Sequence, residues 1–114
     1  MNGNLSNNIA VFAPSGYITA ANANEFEQEL RTVASQAGLV LLVDMSQVEF
    51  LDSSGLVKLV SVFRQRQSRG QRLSLCSITP SVRIVFELTG LDKVFEIFNN
   101  RCDFDRTIAQ PVAA

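Results

Sequence analysis

The sequence predicts an α/β fold, a small mixed β-sheet with helices packed against it. Three observations predict it. Short strand-like runs, Ile9 to Phe12, Leu39 to Asp44 and Arg72 to Ser77, alternate with stretches whose apolar residues recur at helical spacing. The connections between them are a few residues long, which calls for parallel neighbours joined by right-handed crossovers. No internal repeat, low-complexity tract or linker interrupts the 114 residues, so one domain spanning 1–114 is expected.

Taken in order, Ile9 to Phe12 reads as a strand with a bend at Pro14, a pattern that suits a sheet edge, and Tyr17 and Ile18 continue it. In "NANEFEQELRTVASQAG" the residues Phe26, Leu30, Val33, Ala34 and Ala37 fall on one helical face. Asn22 with Glu25 resembles a capping box, Gly38 ends the helix, and the acids at 25, 27 and 29 read as a solvated helix start. "LVLLVD" is continuously apolar and branched, as a strand covered on both faces should be. A second helix carries Leu56, Leu59, Val60 and Phe63 on its inner stripe. Arg64, Arg66 and Arg69 read as solvated charge and dipole partners at its end, before Gly70. After the strand at 72–77, Thr79 as cap and Pro80 at the first helical position open a third helix, with Val82, Val85 and Phe86 inward and Gly90 beyond its end. Lys93 to Phe98 is a last short strand, and the tail from Asn99 holds one weak helical turn or more. The residues expected to be buried include Val40, Leu42, Leu56, Leu59, Phe63, Leu75, Val82 and Phe86.

Composition removes several kinds of chemistry. Ten basic and eleven acidic side chains provide no bulk field for nucleic acid or an anionic membrane. The longest apolar run, Gly38 to Val43, is too short for membrane insertion, and "MNGNLSNN" is too polar for a secretory signal. Cys76 and Cys102 have no metal-type or redox-type spacing, and two free thiols fit a cytoplasmic location. Histidine is absent, so imidazole bases, Ser-His triads and His-ligated metals are excluded. No phosphate loop or nucleophile elbow is present. The expectation is a protein that is not an enzyme and carries no cofactor or metal.

One polar cluster interrupts the apolar pattern: Asp52-Ser53-Ser54-Gly55 within "VEFLDSSGLVKL". It lies directly before the second helix, so Ser53 or Ser54 is expected as N-cap. The free amides of the first turn also make an anion site where a serine phosphate could sit, although Asp52 would repel it. Capping and phosphate acceptance are both open to this cluster on its residues alone.

The strand ending in Asp44, "VEFLDSSGLVKLV", the basic helix end before Gly70 and "LSLCSITPSVRIVFELTGLDKVFEIF", in this order, resemble the STAS domain, and best its single-domain bacterial anti-sigma factor antagonists. The similarity covers about residues 9–98, leaving 99–114 as a tail. It implies a regulatory protein that binds a serine kinase doubling as an anti-sigma factor. A phosphate on Ser53 weakens that binding, and a cognate phosphatase removes it. Asp52, Ser54, Gly55, Lys58, Ser61, Arg64 and Thr19 are the partner-binding residues expected with Ser53. Thr19 stands where many members carry an acid, which bears on how the kinase aligns the serine. The polar start departs from the family's extra N-terminal strand. Two other roles compete: a non-phosphorylated STAS subunit of a transporter or other signalling assembly, and a nucleotide-binding STAS module.

Overall fold

The computed structural model describes residues 9–109. The elements are β1 (Ile9–Phe12), β2 (Ser15–Ile18), α1 (Ala23–Gln36), β3 (Val40–Asp44), β4 (Gln47–Leu51), α2 (Ser53–Ser68), β5 (Arg72–Cys76), α3 (Pro80–Thr89), a 3-10 turn at Leu91–Lys93, β6 (Glu96–Phe98) and α4 (Arg101–Ala109). One sheet runs β1-β3-β5-β6 and a second pairs β2 with β4. Every described pairing is parallel, so the expected mixed character has no described strand to carry it. The segment of the extra N-terminal strand lies outside the described residues.

The break at Pro14 does more than bend an edge strand. β1 pairs with β3, and after the break β2 pairs with β4, so the continuations of both strands leave the main sheet together. Sequence periodicity missed β4 because a bulge disrupts it. Gly16 faces Val48 but Tyr17 faces Phe50, leaving Glu49 unmatched. The buried residues Val48 and Leu51 are therefore three apart, and no period of two survives.

The continuous run in β3 has its cover on both faces. Leu41 and Val43 enter the main core with Phe26, Leu30, Leu59, Leu75, Val82 and Phe86. Val40 and Leu42 face the other way, against Cys76 and Phe104. Phe104 comes from α4, a nine-residue helix where a weak helical turn or more was expected, and it is fully buried with Phe98 edge-on at 5.4 Å. Of the residues expected to be buried, Phe63 is half-buried, its ring 4.6 Å from that of Phe95. Leu39 lies outside β3 and is exposed, and the last strand is three residues long because the chain first makes the 3-10 turn.

Three polar expectations are corrected. Asn22 forms no side-chain cap on α1; its Oδ1 accepts from Thr19 N and its Nδ2 donates to Tyr17 O, closing the preceding loop instead. Glu27 is not simply solvated, because it lies 2.9 Å from Arg31 and 3.1 Å from Lys58. Arg66 is not a solvated charge. It is 3% exposed, and its guanidinium donates to the carbonyls of Arg72, Ala34 and Gly38 at 2.9, 3.2 and 3.0 Å. It thereby closes the C-terminal end of α1 against the start of β5. Thr79 sits at the backbone cap position of α3, with Pro80 following, but its hydroxyl donates to Val48 O.

Candidate functional site

The Asp52–Gly55 cluster lies where β4 turns into α2, beside the loop that follows β2. Asp52, and not a serine, is the N-cap. Its Oδ1 accepts from Ser54 N at 2.9 Å and Gly55 N at 3.2 Å. Its Oδ2 accepts from Ala20 N at 3.1 Å, and its own amide donates to Ile18 O at 3.0 Å. One carboxylate therefore closes the first turn of α2 and ties it to the loop at 19–22. Aspartate wins this position because it offers two acceptor oxygens, whereas a serine hydroxyl at the cap would reach one group of amides only.

The loop itself is a closed unit. Thr19 N donates to Asn22 Oδ1 at 2.8 Å, Asn22 N donates to Thr19 O, and Ala21 N donates to Thr19 Oγ1 at 3.3 Å. Thr19 thus stands beside the cluster, with its hydroxyl turned to its own backbone.

Ser53 is the first residue of α2 and is exposed, while Ser54 is half-buried. Gly55 is buried where the helix presses on the small sheet. A Cβ there would lie 2.5 Å from Leu51 Cδ1 and 2.7 Å from Ile18 Cγ2. Glycine is needed at 55 for this close approach.

Among the other expected partner residues, Lys58 and Ser61 are drawn towards α1. Lys58 Nζ is 3.1 Å from Glu27 Oε1, and Ser61 Oγ accepts from Arg31 Nη2 at 2.9 Å. Hydrogen bonding by Arg31, then by Lys58, holds the Glu27 carboxyl below its ordinary range. Arg64 is exposed. The structure brings Thr19, Asp52, Ser53, Ser54 and Gly55 together at one corner, with Lys58, Ser61 and Arg64 further along α2. Gly55 is buried, Asp52 is half-buried with its carboxylate on backbone amides, and Ser53 is exposed.

Sequence reasoning passed over Val57, which is 63% exposed one helical turn after Ser53. Its signal was present, since position 57 falls outside the Leu56, Leu59, Phe63 stripe. Tyr17 and Phe50, paired across β2 and β4 at 6.4 Å, are also exposed and were not singled out.

Among the described residues no group of His, Cys, Asp and Glu side chains could hold a metal ion, and no helix is long and apolar enough to cross a membrane. The corner offers an exposed Ser53 hydroxyl at the start of a helix whose first amides are capped by the Asp52 carboxylate.

A family model described as the STAS domain matches residues 4–103. The anti-sigma-B factor antagonist of Listeria monocytogenes is 32% identical over 85 residues, covering 75% of each chain. The crystal structure of an anti-sigma factor antagonist from Mycobacterium paratuberculosis superposes with a TM-score of 0.79 at 28% identity, covering 90% of this chain and 87% of that one. The Bacillus cell fate determinant SpoIIAA in its phosphorylated form shares the fold, with a TM-score of 0.65 at 20% identity over 89% of this chain and 92% of that one.

Proposed function

The chain belongs to the STAS domain family, and from that premise we propose that it is an anti-sigma factor antagonist switched by phosphorylation of Ser53. It binds a serine kinase that doubles as an anti-sigma factor, releases the kinase's other target, and loses that grip when Ser53 is phosphorylated. A cognate phosphatase restores it. The naming of the Listeria and Mycobacterium relatives as antagonists supports the role.

The observation that carries the assignment to Ser53 is its exposure at the head of α2 while Asp52 performs the capping. The hydroxyl is left for chemistry with a partner. In the transfer, Ser53 Oγ forms a bond to the terminal phosphorus of a nucleoside triphosphate held by the kinase. The bond from that phosphorus to the diphosphate breaks, and the hydroxyl proton passes to a base on the kinase. This chain supplies the acceptor and the surface around it. The added group brings a charge of about -1.5 to -2 to the face that docks the kinase.

Calorimetry against the kinase, with mass spectrometry of the phosphopeptide, tests the reading. Ser53→Asp weakens binding by about 1–3 kcal/mol, as one repelling charge at a contact does. Ser53→Ala binds constitutively and takes up no phosphate, while Ser54→Ala remains a substrate. Phosphate on Ser54 would move the assignment to that residue. If neither serine is modified, the switch is wrong and a permanent docking role replaces it.

A further inference from the structure

The C-terminal halves of α1 and α2 enclose a surface cavity of about 200 Å³. It lies about 20 Å along α2 from Ser53, at the opposite end of that helix. Arg31, Arg66 and Arg69 line it with Gln65, Gln71 and Ser35, and no acidic side chain does. Arg66 has an unusual charge balance. It is 3% exposed, and its guanidinium meets three backbone carbonyls but no carboxylate. Buried charges are ordinarily paired, because neutral dipoles offset only part of the cost of leaving water. An arginine cannot escape that cost by losing its proton. Three of its five N–H groups are used, so two have no acceptor among the described residues.

We infer that this cavity binds a phosphate-sized oxyanion, either inorganic phosphate or the phosphoryl end of a small monoester, and that the ligand supplies the counter-ion Arg66 lacks. Arg69 is the second cation. It is exposed at the C-cap of α2 and has no ion-pair partner among the described residues. Arg31 is committed elsewhere, to Glu27, Ser61 and Gln65 Oε1. That last bond leaves the Gln65 amide nitrogen free to donate, and two guanidiniums with an amide suit a tetrahedral oxyanion. Both helices end here, and helix C-termini ordinarily repel anions. Their carbonyls are already covered: Arg66 holds Ala34 O and Gly38 O, while Arg69 N and Gln71 N hold Arg66 O. Size sets the ligand class. The cavity is smaller than the roughly 300 Å³ at which pockets for larger organic ligands begin, so a whole nucleotide does not fit.

The test titrates the full chain, labelled with nitrogen-15, with sodium phosphate, with methyl phosphate and with sodium chloride at equal ionic strength. Phosphate should move the Nε resonances of Arg66 and Arg69 and the amides of Gln65 and Gln71 along one saturating curve. It should also raise the melting temperature, as a ligand of the folded state does. Saturation by methyl phosphate too assigns the site to phosphoryl ends in general; saturation by phosphate alone assigns it to the free ion. Arg69→Gln changes an exposed side chain and should weaken binding about tenfold, the loss of one charge-assisted contact. Lys93→Gln removes the same charge outside the cavity and should leave the affinity unchanged. Chloride reproducing the shifts, a response that never saturates, or equal affinity in Arg69→Gln would each overturn the site. Saturating shifts confined to the first turn of α2 would place the anion at the helix start and overturn it as well.

Discussion

Replacing Gly55 with alanine probes the contact that seats α2 on the small sheet. The new Cβ would stand 2.5 Å from Leu51 Cδ1 and 2.7 Å from Ile18 Cγ2, where carbon atoms prefer about 3.5–4.0 Å. Neither neighbour yields cheaply. Leu51 is fully buried and Ile18 is 3% exposed, and the branched Cβ of Ile18 restricts its rotamer. Overpacking of this kind costs about 1–3 kcal/mol. Against it stands the gain from replacing a helical glycine, about 0.5–1 kcal/mol. The net expectation is a loss centred on about 1 kcal/mol, or a melting temperature lower by about 4–8 °C for a domain of this size. The chain has no tryptophan, so the assay is urea and thermal unfolding followed by far-UV circular dichroism. A Gly55→Ala protein as stable as the parent, or more stable, would refute the close approach and with it the reason given for glycine at 55.

Two further outcomes follow from the polar contacts between α1 and α2. Arg66→Ala removes the guanidinium that donates to the carbonyls of Ala34, Gly38 and Arg72 and opens a cavity, so it should destabilise by about 3–5 kcal/mol. Arg66→Lys should recover only part of this, since an ammonium lacks the fork that reaches three carbonyls; a loss under about 1 kcal/mol in urea melts of Arg66→Ala would contradict the arrangement. Glu27 has its pKa lowered in the folded state by hydrogen bonding from Arg31 and then Lys58. Its contribution is therefore present above the unfolded carboxylate value, about 4.3, and is lost as pH falls through the folded value. Thermal melts across the acid range should show a shallower decline for Glu27→Gln than for the parent, and parallel curves would count against the pairing.

The fold was legible where one physical demand dominated a segment. The unbroken apolar run of β3 announced two covered faces, and the stripe through Leu56, Leu59 and Phe63 set the inner side of α2. The second cover of β3 was hard to foresee, because α4 contributes a single aromatic, Phe104, set among charged residues. β4 was hidden for a different reason: the unmatched Glu49 shifts the inward positions and erases the alternation that marks a strand. Arg66 could not be told from Arg64 and Arg69 by spacing. What separates it is the convergence of the end of α1 and the start of β5 on its guanidinium, a tertiary fact.

The candidate site was legible as a place but not in its division of labour. An aspartate, two serines and a glycine at a helix start suggested a serine cap, and the cap is Asp52. This difference bears directly on function. Had Ser53 been the cap, its hydroxyl would be committed to the helix amides, and a phosphate would destroy the cap it was built on. With Asp52 capping, the amides are satisfied and the Ser53 side chain is exposed. On the proposed reading, a phosphate on Ser53 adds its charge at an exposed position beside a helix start that Asp52 already caps.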